Sequence, residues 1–266
     1  MGDPLAGVRA KLDRAEEHLD TLKDQVSTFL DTDPYGVRQH IHPETGGYSL
    51  SIEIRQQPPL LINVIVGDLI HNLRSALDHL AWQLVLANGR KPSGSTQFPI
   101  FVREPVADDD IGKWKARVKG MSPEVVKEIA SIQPYAADGE ARLHSLAILN
   151  AFSNEDKHKL PLACVAAIAK HEPGTAGVAP VRDVEIESMD IATGKPLKDG
   201  DYIAWGKVRI TGPNPQTEVK GKLPVEIAFG DRHARLDGLV DLCHQVGSVV
   251  ALMELTAWPH RTPPVG

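Results

Sequence analysis

Residues 59–87 limit the fold more than any other stretch, because they read as one long helix with a face that must be buried. At 100° per residue, Val66, Leu69, Ile70, Leu73, Leu77, Leu80 and Leu84 fall within an arc of about 100°. A stripe of that width belongs to a core, so other elements have to cover it. Pro58-Pro59 opens the helix, where the missing proline N–H has no partner to lose. Asn88-Gly89 closes it.

The covering elements are readable by the same periodicity. Over residues 4–29, Val8, Leu12, Ala15, Leu19, Leu22, Val26 and Phe29 alternate four and three apart, a single seam on a helix. Such a seam suits an intramolecular helix pair or a short dimer seam. Asp31, Asp33 and Pro34 stop it. Over residues 231–255, Leu239, Leu242, Val246, Val249 and Met253 form another inward stripe. Shorter helices are expected at 109–118, 123–132 and 140–152; the second opens on Ser122 as cap with Pro123 in the first position.

Residues 35–41 and 48–54 alternate apolar with polar on either side of a glycine-bearing turn, a hairpin pattern. Residues 160–229 alternate again and are punctuated by Gly and Pro, as in an antiparallel meander. The expected fold class is α+β: a helical bundle of long helices with an antiparallel β-meander inserted before the C-terminal helix. The expected layout is one compact domain. Residues 1–159 form the bundle with the early hairpin at 35–56, residues 160–230 the sheet region, and residues 231–258 a helix returning to the bundle.

Composition narrows the class. Of 266 residues, 42% are hydrophobic and 24% charged, a globular balance rather than a disordered one. The net charge of −6 argues against coating nucleic acid with the whole surface and leaves room for a local basic site. Cys164 and Cys243 sit in apolar surroundings and read as buried free thiols, without the spacing of a zinc or redox motif. A reducing compartment follows, and a cytoplasmic location is expected. The N-terminal stretch has no apolar signal core, and the longest apolar tract, residues 58–66, is too short to span a bilayer. Neither secretion nor membrane insertion is expected.

The polar residues of the second long helix are unusual. No Lys or Glu occurs between Asp68 and Gln83. Instead the helix carries His, Asn, Arg, Ser and Asp, which make directional hydrogen bonds and bind phosphates or metals. They flank the core stripe in two lines, Asp68/Asn72/Ser75/His79/Gln83 and His71/Arg74/Asp78. Arg74 and Asp78 are four apart and can pair. A second polar cluster holds Asn150, Asn154, Asp156, Lys157 and His158, of which Asp156, Lys157 and His158 are expected to face the 71–79 region. Each cluster has a plainer reading: a hydrogen-bonded layer between helices for the first, a capped helix end for the second.

Lesser candidates stand elsewhere. His40 and His42 share one face of a hairpin strand, either metal-binding or simply solvated. Trp114 among Lys113, Lys115, Arg117 and Lys119 is a basic-aromatic patch able to meet RNA phosphates and stack a base, or an ordinary exposed helix. No nucleotide-binding glycine loop and no G-x-S-x-G elbow is present.

The run Arg74-Ser-Ala-Leu-Asp-His79 matches the R-x4-6-H pattern and resembles the HEPN superfamily of helical proteins. HNLRSALDHLAW followed by QFPI, IQPY and NEDKHK also looks like a family of bacterial cytosolic proteins with no assigned activity. HEPN proteins are commonly metal-independent ribonucleases or toxins, whose arginine and histidine act together on the scissile phosphate, often at a dimer interface. The resemblance implies an RNA partner, no cofactor and a homodimer. It gives Arg74 and His79 as the catalytic pair; beside them Asn72 and Asp78 are further catalytic candidates, and Ser75, Asn154, Asp156, Lys157 and His158 are candidates for binding substrate. Arg74 would hold the phosphate and His79 would move the proton.

Five positions rotate Arg74 and His79 about 140° apart on an ideal helix. They meet only if the helix is distorted, Arg74 reaches round, or a second subunit completes the site. The rival sites are a divalent metal held by Asp68, His71, Asp78 and His158 in a bundle core, and a non-enzymatic binding or regulatory protein in which the polar run is structural.

Overall fold

A computed structural model describes residues 2–42, 44–156, 163–168, 177–191, 197–214, 216–220, 225–229 and 234–260. The fold is α+β, with helices beside antiparallel sheet. The chain divides into two compact units, neither of them continuous in sequence: residues 1–22, 64–161 and 237–266 form one, and residues 23–63 and 162–236 the other.

The first unit takes its core from long helices. Along the expected seam of α1 (Ala6–Leu30), Val8, Ala15, Leu19 and Leu22 are buried and Leu12 is half-buried; Leu5, just before the helix, is buried as well. The Asp3 carboxylate accepts from the Leu5 N–H at 3.0 Å, which satisfies one of the donors a helix start leaves open. α2 (Leu60–Ala87) buries the whole predicted stripe, from Val66 to Leu84. It ends where Asn88-Gly89 requires: Gly89 has φ +64°, its N–H donates to Leu86 O at 2.9 Å, and the Arg90 N–H reaches Val85 O at 3.1 Å. Those two bonds are a Schellman cap, and glycine supplies its left-handed residue without strain.

α3 (Asp108–Arg117) and α4 (Pro123–Ser131) follow. α3 has aspartates in its first turn and Lys115 and Arg117 in its last, the order the helix dipole favours. α4 is capped by Ser122, whose Oγ accepts from the Val125 N–H at 3.3 Å, with Pro123 at the first position. After two single 3-10 turns, Pro134–Ala136 and Ala141–Leu143, comes α5 (Ser145–Asp156). Residues 140–144, expected at the start of that helix, are turn instead, and His144 becomes its cap. α6 (Leu236–Ala257) buries Leu239, Leu242, Val246, Val249, Val250 and Met253. α2 and α6 each carry a stretch of mean hydropathy 1.3, long and apolar enough by length and composition to cross a membrane; 56% of the α2 stretch and 39% of the α6 stretch is buried.

The second unit is built on antiparallel sheet. β1 (Tyr35–His42) and β2 (Gly47–Ile54) form the expected hairpin, in register from Tyr35 opposite Ile54 to His42 opposite Gly47. Gly46 in the turn has φ +66°, and a Cβ there would stand 2.8 Å from Val208 O, so only glycine fits. The later strands are β3 (Ala163–Ile168), β4 (Gly177–Arg182), β5 (Val184–Ile191), β6 (Tyr202–Ile210), β7 (Gln216–Lys220), β8 (Val225–Phe229) and β9 (Ala234–Arg235). Their pairing is nested: β5 with β6, β4 with β7, β3 with β8. The β1–β2 hairpin joins this ribbon through β2 against β6, giving the order β1-β2-β6-β5.

Candidate functional site

The polar residues of α2 leave the helix in three directions rather than two lines. Asn72 turns toward α1: its carbonyl accepts from Lys11 Nζ at 3.2 Å and its amide donates to Asp68 O at 2.8 Å. Asn72 is buried; the Lys11 bond ties α1 to α2, and the Asp68 bond is made within α2.

Arg74 and Asp78 turn the other way, onto the QFPI segment. Arg74 Nη2 donates to Asp78 Oδ1 at 2.9 Å and to the Phe98 carbonyl at 2.9 Å, and the same Asp78 oxygen accepts from the Phe98 N–H at 3.0 Å. The ion pair therefore closes on both polar groups of one backbone residue, and the Phe98 ring beneath it is fully buried. Arg74 Nη1 is buried without a hydrogen-bond partner among the described residues. Three residues further on, Gln133 repeats the device. It has no solvent exposure; its Oε1 accepts from the Phe101 N–H at 2.9 Å, and its Nε2 donates to Pro99 O at 3.0 Å and Ile129 O at 3.1 Å. Residues 98–101 have no ladder partners, and these side chains satisfy the groups that a sheet would otherwise satisfy.

His79, the other half of the R-x4-H match, stays exposed. Arg74 spends its bonds on Asp78 and Phe98, not on His79. The imidazole stands near Gly7 of α1, where an added Cβ would lie 3.7 Å from Nδ1. Asp68 and His71 are exposed as well, and Ser75 lies half-buried 3.4 Å from His71 Nε2. Of the second cluster, Asn154 is exposed near the end of α5; the Asp156 side chain, Lys157 and His158 lie outside the described residues. Asp78 of the rival metal set is taken by Arg74 and Phe98, while Asp68 and His71 lie on the exposed face. Among the described residues no group of three or more His, Cys, Asp or Glu is placed to hold a metal ion. His40 and His42 are exposed on β1, and Cys243 is buried.

The α3 patch is organised further than its sequence shows. Trp114 meets Phe101 edge-on, with ring centres 5.6 Å apart, and the Arg117 guanidinium lies 5.1 Å over the Phe101 ring. Burial, and after it the charge of Arg74, lower the pKa of Arg117. Trp114, Tyr135, Lys127, Glu104, Met121 and Pro123 line a groove of about 540 Å³ between α3 and α4. Burial, and then Glu104, raise the pKa of the Tyr135 hydroxyl. Tyr135, Lys127 and Gln133 carried no separate signal in the sequence, although Gln133 and Tyr135 belong to the IQPY stretch that entered the resemblance. Compared with family models, curated proteins and solved structures, the chain matches none, and its functional reading rests on this geometry.

Proposed function

We propose that this chain is a HEPN-like cytoplasmic protein that binds single-stranded RNA, and that it does so in the α3–α4 groove. The observation that carries the reading is that Trp114, Tyr135 and Lys127 line one groove. A base stacks on such rings whatever its identity, and exposed Lys115, Lys119 and Lys127 can follow the phosphates. Binding here also accommodates a net charge of −6, because the basic surface needed is local.

Cleavage through Arg74 and His79 is not part of this reading. A phosphate bound between them needs a free guanidinium edge, and Arg74 has one nitrogen committed to Asp78 and Phe98 and the other buried. Arg74 acts as a clamp on residue 98.

The test is a titration of fluorescently labelled single-stranded RNA, read by anisotropy. Trp114→Ala and Tyr135→Ala are each expected to weaken binding by about 1–3 kcal/mol, roughly 5- to 150-fold. His79→Ala is expected to leave it unchanged. With about three phosphates engaged, log K should fall with log salt at a slope of roughly −2. Unchanged affinity in both groove variants sinks the reading. So does RNA cleavage in chelator that both Arg74→Ala and His79→Ala abolish while keeping their fold.

A further inference from the structure

We infer that the α3–α4 groove selects guanine, and that Glu104 is the residue that reads it, its carboxylate accepting from the N1–H and N2–H of a base laid on Trp114. This rests on the RNA reading of the groove and adds the identity of the base. Glu104 lines the groove together with Trp114, Tyr135 and Lys127. It is exposed, and it has no hydrogen bond or ion pair among the described residues, so both of its oxygens are open to a ligand. Its charge reaches the Tyr135 hydroxyl, where it adds to the effect of burial in raising the pKa, so the carboxylate stands within range of that ring.

A carboxylate is out of place in a groove built only for phosphates, because it repels the backbone that the exposed lysines attract. Stacking on an indole is blind to base identity, so selection has to come from groups that meet the base edge. An ionised carboxylate offers acceptors alone. On their Watson–Crick edges adenine and cytosine each present one donor beside an acceptor, and uracil presents one donor between two acceptors. Each of the three therefore sets a lone pair against a Glu104 oxygen. Guanine presents two adjacent donors, N1–H and the N2 amine, which fit the two oxygens as a bidentate, charge-assisted pair. Lys115, Lys119 and Lys127 are set apart on α3, the turn after it and α4. That spread suits phosphates spaced along a strand rather than the single cluster of a free nucleotide, so the guanine is one within a strand.

The test uses the full chain and short labelled strands of uridine that carry one central guanine, adenine, cytosine or uracil, read by anisotropy. The guanine strand should bind roughly 5- to 150-fold tighter than the other three. A strand with hypoxanthine in place of guanine, which lacks the N2 amine, should lose most of that preference. Glu104→Gln turns one acceptor into a donor, the pattern that adenine and cytosine match. It should lower affinity for the guanine strand by about fivefold or more and leave the adenine and cytosine strands no weaker. Trp114→Ala should weaken all four strands alike. Four strands bound equally, and all weakened by Trp114→Ala, would leave the RNA groove standing and overturn the guanine assignment. So would a guanine preference that Glu104→Gln keeps, or free guanosine triphosphate binding as tightly as the guanine strand. No binding of any strand, or binding indifferent to Trp114→Ala, would overturn the groove itself and this assignment with it.

Discussion

Arg74, Asp78 and Gln133 share one task, holding a stretch of backbone that has no strand beside it. Asp78 accepts from both Arg74 Nη2 and the Phe98 N–H. Asp78→Ala removes that acceptor and leaves a largely buried guanidinium with only the Phe98 carbonyl, so a loss of about 2–3 kcal/mol is expected. Gln133→Ala leaves the Phe101 N–H and Pro99 carbonyl without partners in a dry site, for a similar loss of about 2–4 kcal/mol. Chemical denaturation of each variant checks both, and a change below about 0.5 kcal/mol in either would refute the clamp. The Arg74–Asp78 pair was readable, because a spacing of four on a helix puts two side chains in reach. Its target was not: a backbone N–H and carbonyl at residue 98 have no side-chain signature. The same holds for Gln133, whose three bonds all go to main chain and leave no periodic trace.

Helices and strands were readable to different depths for a physical reason. The 3.6-residue period of α1, α2 and α6 names the buried face directly, and Ser122, Pro123 and Gly89 mark ends by conformational preference. Alternation in residues 160–229 identifies strands but is silent on partners, since any alternating strand fits beside any other. The nested pairing of β3 with β8 and β4 with β7 is set by where the ribbon turns, between β5 and β6. The start of α5 was misread for a third reason. Its cap is His144, whose Nδ1 accepts from the Leu146 N–H at 3.2 Å, and histidine is not among the usual capping residues. That role makes the helix pH-sensitive. Burial lowers the His144 pKa below 6.5, so its contribution is fully present above that value and is lost as pH falls through the folded pKa, when Nδ1 takes a proton and stops accepting. His144→Asn keeps an acceptor that does not titrate. Compared at pH 7.5 and pH 5, the variant should lose less stability than the parent, by about 0.5–1 kcal/mol. An identical pH dependence in the two proteins would refute the cap.

Each unit is assembled from distant stretches of chain, so the molecule cannot be divided at a sequence boundary. In the helical unit α6 returns after the sheet strands to a place beside the start of α1, where Arg9 Nη2 donates to Glu254 Oε1 at 2.7 Å. Glu254 is only 6% exposed while the Arg9 side chain keeps 30% of its surface in solvent, so the pair sits at the edge of the core. Around it α6 buries Leu239, Leu242, Val246, Val249, Val250 and Met253. At about 1.5–3 kcal/mol for each buried side chain, that face contributes on the order of 10 kcal/mol, comparable with the entire net stability of a domain. A chain ending before Asp237 also leaves Arg9 with Asp3 as its remaining partner and uncovers the apolar faces that α6 packs against. It is expected to retain helical far-ultraviolet dichroism but to lose near-ultraviolet signal and cooperative melting, the signature of collapse without fixed packing. Adding residues 234–266 as a separate peptide should restore a cooperative transition, because the helix brings its own stripe and Glu254. A truncated chain that melts cooperatively within a few degrees of the full one would show that α6 is an appendage rather than a wall of the core.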